Sequence, residues 1–382
     1  MITIITGAEV FAPAYAGIND VVIIGERIAR VENEVDIEKY LALDIPVNII
    51  PGEGKVMTPG IIDPHVHLIG GGGEGGYHTR TPETHIRQFV EAGITTAVGL
   101  IGTDKTSRSL EALYAKAKAL TTEGITALMY TGNYQIPTPT ITGTIERDIY
   151  LMDPVIGTAE IAISDHRSSQ PTTGELAKIT AETRVGGMTA GKAGVTHFHT
   201  GGGKAGLSQL KELIEEYDLP AYNIYPTHVN RTDGLIAEAA ELTRLGAYVD
   251  MTAGPDITRD VEKFKAADGD VDRLTLSSDG NGSLPVFDAA GNLKKLEVAS
   301  LKTLLLGVAE LYESEVLNSE EVFSIVSRNT AEVLSLPDKG RIGENMHADL
   351  LLFDAGFKLD TVIAKGIVLK QYGKTVVKGT FD

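Results

Sequence analysis

Two histidines close a short apolar run, Ile61-Ile62-Asp63-Pro64-His65-Val66-His67. On a β-strand, side chains two residues apart leave the same face. His65 and His67 can therefore reach one metal ion, and histidine is the commonest protein metal ligand. A glycine-rich stretch follows at once, Gly70-Gly71-Gly72-Gly73-Glu74-Gly75, where backbone must turn tightly or approach a ligand closely. Further ligand types stand in or just after later apolar runs: Glu160 within Thr158-Ala159-Glu160-Ile161-Ala162-Ile163, His199 at the end of Val195–His199, His228 after Tyr225-Pro226-Thr227, and Asp279 after Ser277-Ser278. Histidines and carboxylates in this number suit two divalent cations bridged by a carboxylate, a centre that can hold and activate a hydroxide. Each residue alone has a plainer explanation. A strand-end histidine is usually a satisfied polar group, Ser-Ser-Asp-Gly is usually a turn, and Asp279 could cap the next segment. Their recurrence at separate strand ends favours the metal reading.

The elements that must position these residues alternate in type. Strands are expected at 61–67, 94–100, 125–130, 156–163, 195–199, 224–227, 247–251 and 274–277. Helices are expected at 82–92, 109–123, 174–184, 207–216 and 235–245, with helical stretches at 296–312 and 319–334. Eight strands, most followed by helices, predict an α/β fold, a parallel (β/α)8 TIM barrel, whose active site lies at the C-terminal ends of the strands. Both chain ends read instead as short strands between turn-formers. Met1–Ile5, Val21–Ile24 and Ile28–Val31 stand at one end, and Ala348–Phe353, Val362–Gly366 and Thr375–Gly379 at the other. The expected organisation is a small β-domain from residues 1–57 plus 343–382 around a central barrel of residues 58–342.

Bulk properties narrow the chemistry. Of 382 residues, 34 are Lys or Arg and 52 are Asp or Glu, a net charge of −18. That balance argues against nucleic acid or an anionic membrane as partner. Cysteine is absent, so a metal must use His, Asp, Glu or a modified Lys. The N-terminus lacks the basic region of a signal peptide, no apolar run approaches the ~20 residues of a membrane span, and the cytoplasm is the expected compartment.

At these residues the chain resembles the amidohydrolase superfamily and, within it, the isoaspartyl dipeptidase (β-aspartyl peptidase) family. The resemblance runs nearly end to end. It is carried by Asp63–Glu74, Thr79-Arg80-Thr81-Pro82-Glu83, Ser164-Asp165-His166-Arg167-Ser168, Arg184-Val185-Gly186-Gly187, Pro226–Arg231 and Ser277–Ser283. The His-x-His feature is shared across the superfamily; the Gly run with Glu74, the Ser-Asp-His-Arg segment and the His-Val-Asn-Arg segment are narrower. The resemblance implies two divalent metal ions, the first on His65 and His67 and the second on His199 and His228. It implies that Asp279 ligates the first and shuttles the proton, and that Tyr134 polarises the scissile carbonyl. Glu74, with Ser283 and Thr103, would read the substrate α-amino group, and Arg167 and Arg231 its carboxylates. It also implies isoaspartyl dipeptides as substrates and a homo-oligomer, an octamer. Zinc is the first expectation for borderline N/O ligands.

Those roles suit the substrate's chemistry: an isoaspartyl dipeptide presents one ammonium and two carboxylates around one amide, and guanidinium forks bind carboxylates bidentately. The chain departs from the family at one place. Where the family carries a carboxylated lysine between the metals, this sequence has Glu160, a shorter arm that can supply the same bridging carboxylate. His197 shares a strand face with His199 and is expected to pack rather than ligate. Rival readings are an amidohydrolase acting on cyclic amides or N-acyl amino acids, a catalytically dead scaffold, and nucleotide binding through Gly70-x-Gly72-x-x-Gly75 or Gly201-x-Gly203-x-x-Gly206, a pattern weak by itself.

Overall fold

The computed structural model describes residues 1–287 and 293–380. The N-terminal strands are β1 (Ile2–Phe11), β2 (Tyr15–Ile24), β3 (Arg27–Glu32), β4 (Val47–Pro51) and β5 (Val56–Pro59). The C-terminal ones are β16 (Leu350–Phe353), β17 (Leu359–Ala364), β18 (Ile367–Gln371) and β19 (Lys374–Thr375), numbered to follow those between. All nine share one sheet in the order β19-β18-β17-β16-β5-β1-β2-β3, with β4 also on β1. The two ends meet where β5 runs parallel to β1 on one side and antiparallel to β16 on the other. Alternation along β1, β2 and β16 buries Ile5, Val10, Val21, Ile23, Leu350 and Leu352 in a core of their own.

Between them lie β6 (Ile61–Val66), β7 (Ile94–Gly99), β8 (Thr126–Thr131), β9 (Val155–Ile163), β10 (Val195–Thr200), β11 (Ile224–Thr227), β12 (Val249–Thr252) and β13 (Leu274–Ser277). Pairing from β6 through β11 is parallel throughout, and β12 pairs with β13 in the same sense. The ring closes through two joints. Val229 N–H donates to the Asp250 carbonyl, and His67 N–H donates to the Gly280 carbonyl at 2.9 Å. The expected (β/α)8 barrel is what the structure shows. Its strands are buried on both faces, as parallel strands covered by helices are.

The helices are α1 (Ile37–Leu41), α2 (Ile86–Glu91), α3 (Leu110–Glu123), α4 (Ile145–Leu151), α5 (Thr173–Ala190), α6 (Ser208–Glu216), α7 (Asp233–Arg244), α8 (Ile257–Ala266), α9 (Lys302–Ser314), α10 (Ser319–Ser324) and α11 (Arg328–Val333). Local chemistry sets their ends. Ser109 accepts from the Ala112 amide at the start of α3, Thr172 and Glu175 form a capping box on α5, and Gly124 ends α3 at φ +131°. Leu110, Leu113, Ala117 and Leu120 make the buried stripe of α3. Truncating one of these leucines would cost about 2–5 kcal/mol.

Three expected boundaries are corrected. The helix placed at 82–92 starts at Ile86, because Thr81–His85 is drawn into the glycine loop: Thr81 Oγ donates to the Asn281 carbonyl and Thr84 N–H to the Leu68 carbonyl. Residues Leu296–Val298 are not helical but belong to β15 (Leu293–Val298), antiparallel to β14 (Ser283–Phe287), and α9 begins only at Lys302. In the tail, the strand expected at Thr375–Gly379 is only the two-residue β19, and β18 precedes it. Among the described residues no helix is long and apolar enough to cross a membrane.

Candidate active site

Barrel geometry places the C-terminal ends of the strands on one rim, and a cavity of about 690 Å³ opens there. Five of the six expected metal ligands, His67, Glu160, His199, His228 and Asp279, line it, and His65 is buried beside them. His65 and His67 leave β6 and its end on one face, their rings 5.5 Å apart. Glu160 comes from the middle of β9, and His199 from β10. His228 and Asp279 sit just past β11 and β13 with φ of 59° and 51°. Ordinary residues avoid that left-handed region, and such backbone costs collect at functional sites.

Glu160 is the hub. Its Oε1 lies 2.7 Å from His199 Nδ1, 3.4 Å from His228 Nε2 and 3.7 Å from His65 Nε2. Asp279 Oδ1 lies 3.2 Å from His67 Nε2 and 3.5 Å from His65 Nε2. Three overlapping sets, His65/His67/Glu160, His65/His228/Asp279 and Glu160/His199/His228, each bring their ligand atoms within 4.8 Å of one another. His65 Nε2 and Glu160 Oε2 are buried without a hydrogen-bond partner. A group left so costs about 1–3 kcal/mol, and a cation would satisfy both atoms. The donor set therefore fits divalent metal ions, and Glu160 belongs to two of the three sets. Two glycines make room: a Cβ on Gly102 would stand 2.7 Å from His67 Cε1, and one on Gly282 would stand 2.5 Å from Asp279 Oδ1.

The charges are tightly coupled. Burial opposes ionisation of Glu160, yet the His65 and His199 rings hold its carboxyl well below the usual range. Burial works against a charge on His65, but Glu160 and Asp279 outweigh it and raise its pKa to about 9. At His228, burial and then the Arg231 charge push the pKa down to about 3. Burial, with Glu160 nearby, keeps the Tyr134 phenol well above 10. Tyr134 stays protonated at neutral pH, its hydroxyl 2.7 Å from His199 Nδ1.

The upper wall carries the expected recognition groups. Ser283 Oγ donates to both oxygens of Glu74 at 3.2 and 3.1 Å, and an Arg167 guanidinium nitrogen lies 3.4 Å from Glu74. Arg231 and Thr103 line the same cavity, Arg231 exposed at its mouth. Three contributors escaped the sequence reading. Asp165 takes bonds from Arg167 Nε and Nη2 and lies 2.9 Å from His199 Nε2; its signal was its place in Ser-Asp-His-Arg. Thr252 meets His228 Nδ1 at 2.6 Å. Arg108 is buried behind the glycine loop, donating to the carbonyls of Ile69, Gly71 and Thr81. Arg108 thus holds the loop through its carbonyls, and the Gly71 N–H is given to Thr81 Oγ1.

Residues 56–380 match the amidohydrolase family, and the chain belongs to that family, a hydrolase by its fold and site. Among solved structures it is similar to the β-aspartyl dipeptidase of the thermophilic, keratin-degrading Fervidobacterium islandicum AW-1 in complex with the β-Asp-Leu dipeptide. Identity there is 42% over 98% of each chain, with a TM-score of 0.92. A second structure of a β-aspartyl dipeptidase from that organism is 40% identical over 98% of each chain, TM-score 0.90. A D-hydantoinase from Thermus sp. shares the fold at 16% identity over 99% of this chain and 97% of its own, TM-score 0.69.

Proposed function

We propose that the protein is a metal-dependent dipeptidase that hydrolyses the β-linked amide of isoaspartyl dipeptides. The observation that carries this reading is the pairing of one carboxylate, Glu74, with two arginines, Arg167 and Arg231, on the wall of the cavity that holds the six-ligand cluster. Its complement is a small molecule with one ammonium and two carboxylates. The β-Asp-Leu complex of the 42%-identical enzyme supports the same substrate class.

In this reading His65, His67, Asp279 and Glu160 hold one divalent ion, and His199, His228 and Glu160 hold the other. Bound there, the ions supply Lewis acidity that acidifies water and polarises a carbonyl. Glu74 receives the substrate ammonium, oriented by Ser283, with Thr103 beside it. The guanidinium fork of Arg231 takes one carboxylate, and the Arg167 guanidinium, its Nε–Nη2 edge already held by Asp165, meets the other with its remaining N–H groups. The protonated Tyr134 hydroxyl donates to the scissile carbonyl oxygen as negative charge develops on it. Asp279 accepts the proton of the attacking water and passes it to the leaving amine, as general base and then acid. Zinc as the metal, a homo-oligomeric assembly and a cytoplasmic location complete the proposal; histidine and carboxylate donors support zinc.

Purified, metal-replete protein should cleave β-aspartyl-leucine and leave α-aspartyl-leucine intact. Cleavage of neither, with two metals bound, would overturn the substrate and favour cyclic amides or N-acyl amino acids.

A further inference from the structure

His197 is fully buried on β10 behind the cluster, and the proposed chemistry gives it no role. Its Nε2 lies 3.0 Å from His65 Nδ1, and its Nδ1 lies 2.9 Å from the Tyr225 carbonyl oxygen. Tyr130 stacks on its ring at 5.4 Å and 17°, and Tyr225 tilts against it at 4.5 Å.

These contacts fix the protons. A carbonyl oxygen only accepts, so His197 Nδ1 carries hydrogen. The neutral ring then has its lone pair on Nε2, which must receive His65 Nδ1–H. Of the two His65 nitrogens, only Nε2, the buried atom without a hydrogen-bond partner that lies 3.7 Å from Glu160 Oε1 and 3.5 Å from Asp279 Oδ1, is then left to offer a lone pair to a cation. Were His197 doubly protonated, it would be a cation between two tyrosine rings, and among the described residues no carboxylate lies within ion-pair distance of it.

We propose that His197 is a positioning residue that holds His65 in its Nδ1-protonated form and aims the Nε2 lone pair at the first cation position. The inference rests on the cluster being a two-cation centre. Histidine ligands usually donate their second N–H to a carboxylate, a carbonyl or water. Here His199 has the carboxylate of Asp165 and His228 the hydroxyl of Thr252, whereas His65 has a neutral imidazole anchored to a strand carbonyl. The effect of His197 should therefore be confined to the position that uses His65.

The test is Zn2+ affinity by chelator competition on the wild type, His197→Phe and His197→Gln. The wild type should show two sites. His197→Phe should weaken one of them by about 10–100-fold, the usual cost of losing such a partner, and leave the other unchanged. His197→Gln, whose amide oxygen can accept from His65, should recover most of the loss. Wild-type affinities in His197→Phe, equal weakening of both sites, or no recovery by Gln would each overturn the assignment. A wild type that takes up no Zn2+ would overturn the cation centre itself. Should His197→Phe fail to fold, 15N-histidine NMR of the Zn2+-loaded native protein decides: His197 must show an unprotonated Nε2 and His65 a protonated Nδ1, and the reverse pattern refutes the proposal.

Discussion

Replacing Glu74 with Gln isolates the contact on which substrate choice depends. The carboxylate is half-buried and held by Ser283 at 3.1 and 3.2 Å and by Arg167 at 3.4 Å. Gln keeps the shape and an acceptor for Ser283 but loses the charge that faces the substrate ammonium. Two unit charges at about 3 Å attract by roughly 5 kcal/mol at an effective dielectric near 20. Arg167 already neutralises part of that charge, and the cavity is open to solvent. A net contribution of about 1.5–3 kcal/mol, typical for hydrogen bonds to charged groups, is therefore the better expectation. At about 1.4 kcal/mol per tenfold, kcat/KM for β-Asp-Leu should fall roughly 10- to 150-fold. The assay compares β-Asp-Leu with N-succinyl-leucine, the same molecule without its α-amino group. Wild type should prefer the amino-bearing substrate by a factor of that size, and Glu74→Gln should erase most of the preference. An equal fall on both substrates would mean that Glu74 only holds the loop, and the ammonium-recognition argument would be refuted.

Asp279→Asn should lower kcat by about 10²–10⁴, the usual weight of a general acid–base group, while metal analysis still finds bound ions; unchanged turnover would remove the proton-shuttle role. Stripping the metal should lower the melting temperature as well as abolish activity. Saturation at a thousandfold Kd is worth about 4 kcal/mol, or roughly 5 °C for a chain of this length, read by calorimetry before and after chelation. Gly102→Ala should displace His67, since its Cβ would stand 2.7 Å from Cε1; metal content and activity should fall together, and a fully loaded variant would contradict the packing. Burial raises the Asp250 carboxyl to about 6, whereas it ionises near pH 3.9 in an unfolded chain. The native state thus holds more protons from about pH 4 to 6, and this group's share of stability, roughly 3 kcal/mol, is present below pH 4 and lost as pH rises through 6. Asp250→Asn should flatten that part of the pH dependence in denaturant titrations.

The barrel and its six cluster residues were legible because parallel strands buried on both faces are rich in apolar residues, and because histidines and carboxylates within or just past them are residues that burial would otherwise exclude. Glu160 is the clearest case, a carboxylate in the middle of β9 with a side chain only 1% exposed. What escaped was set by contacts distant in sequence. Asp165 looks like a turn residue until the fold brings His199 2.9 Å from it. The hairpin β14–β15 was missed because Leu296-Glu297-Val298 joins smoothly onto the helical pattern of α9. By contrast α8 carried a readable stripe at Ile257, Val261 and Phe264, obscured by the charged residues between them.

The placement of β5 between β1 and β16 also has a meaning in time. The strand that leads into His65 and His67 has its second neighbour roughly 290 residues downstream, and Gly60 N–H donates to the carbonyl of Asp349. At about 5–20 residues per second, the ribosome needs roughly 15–60 s to deliver β16 after β5 has been made. Through that interval one side of β5 is an unpaired edge, the kind of surface that recruits other strands. A nascent chain therefore cannot finish the support beneath His65 and His67 until residues 350–353 have been made, and premature termination anywhere in the barrel leaves that edge open.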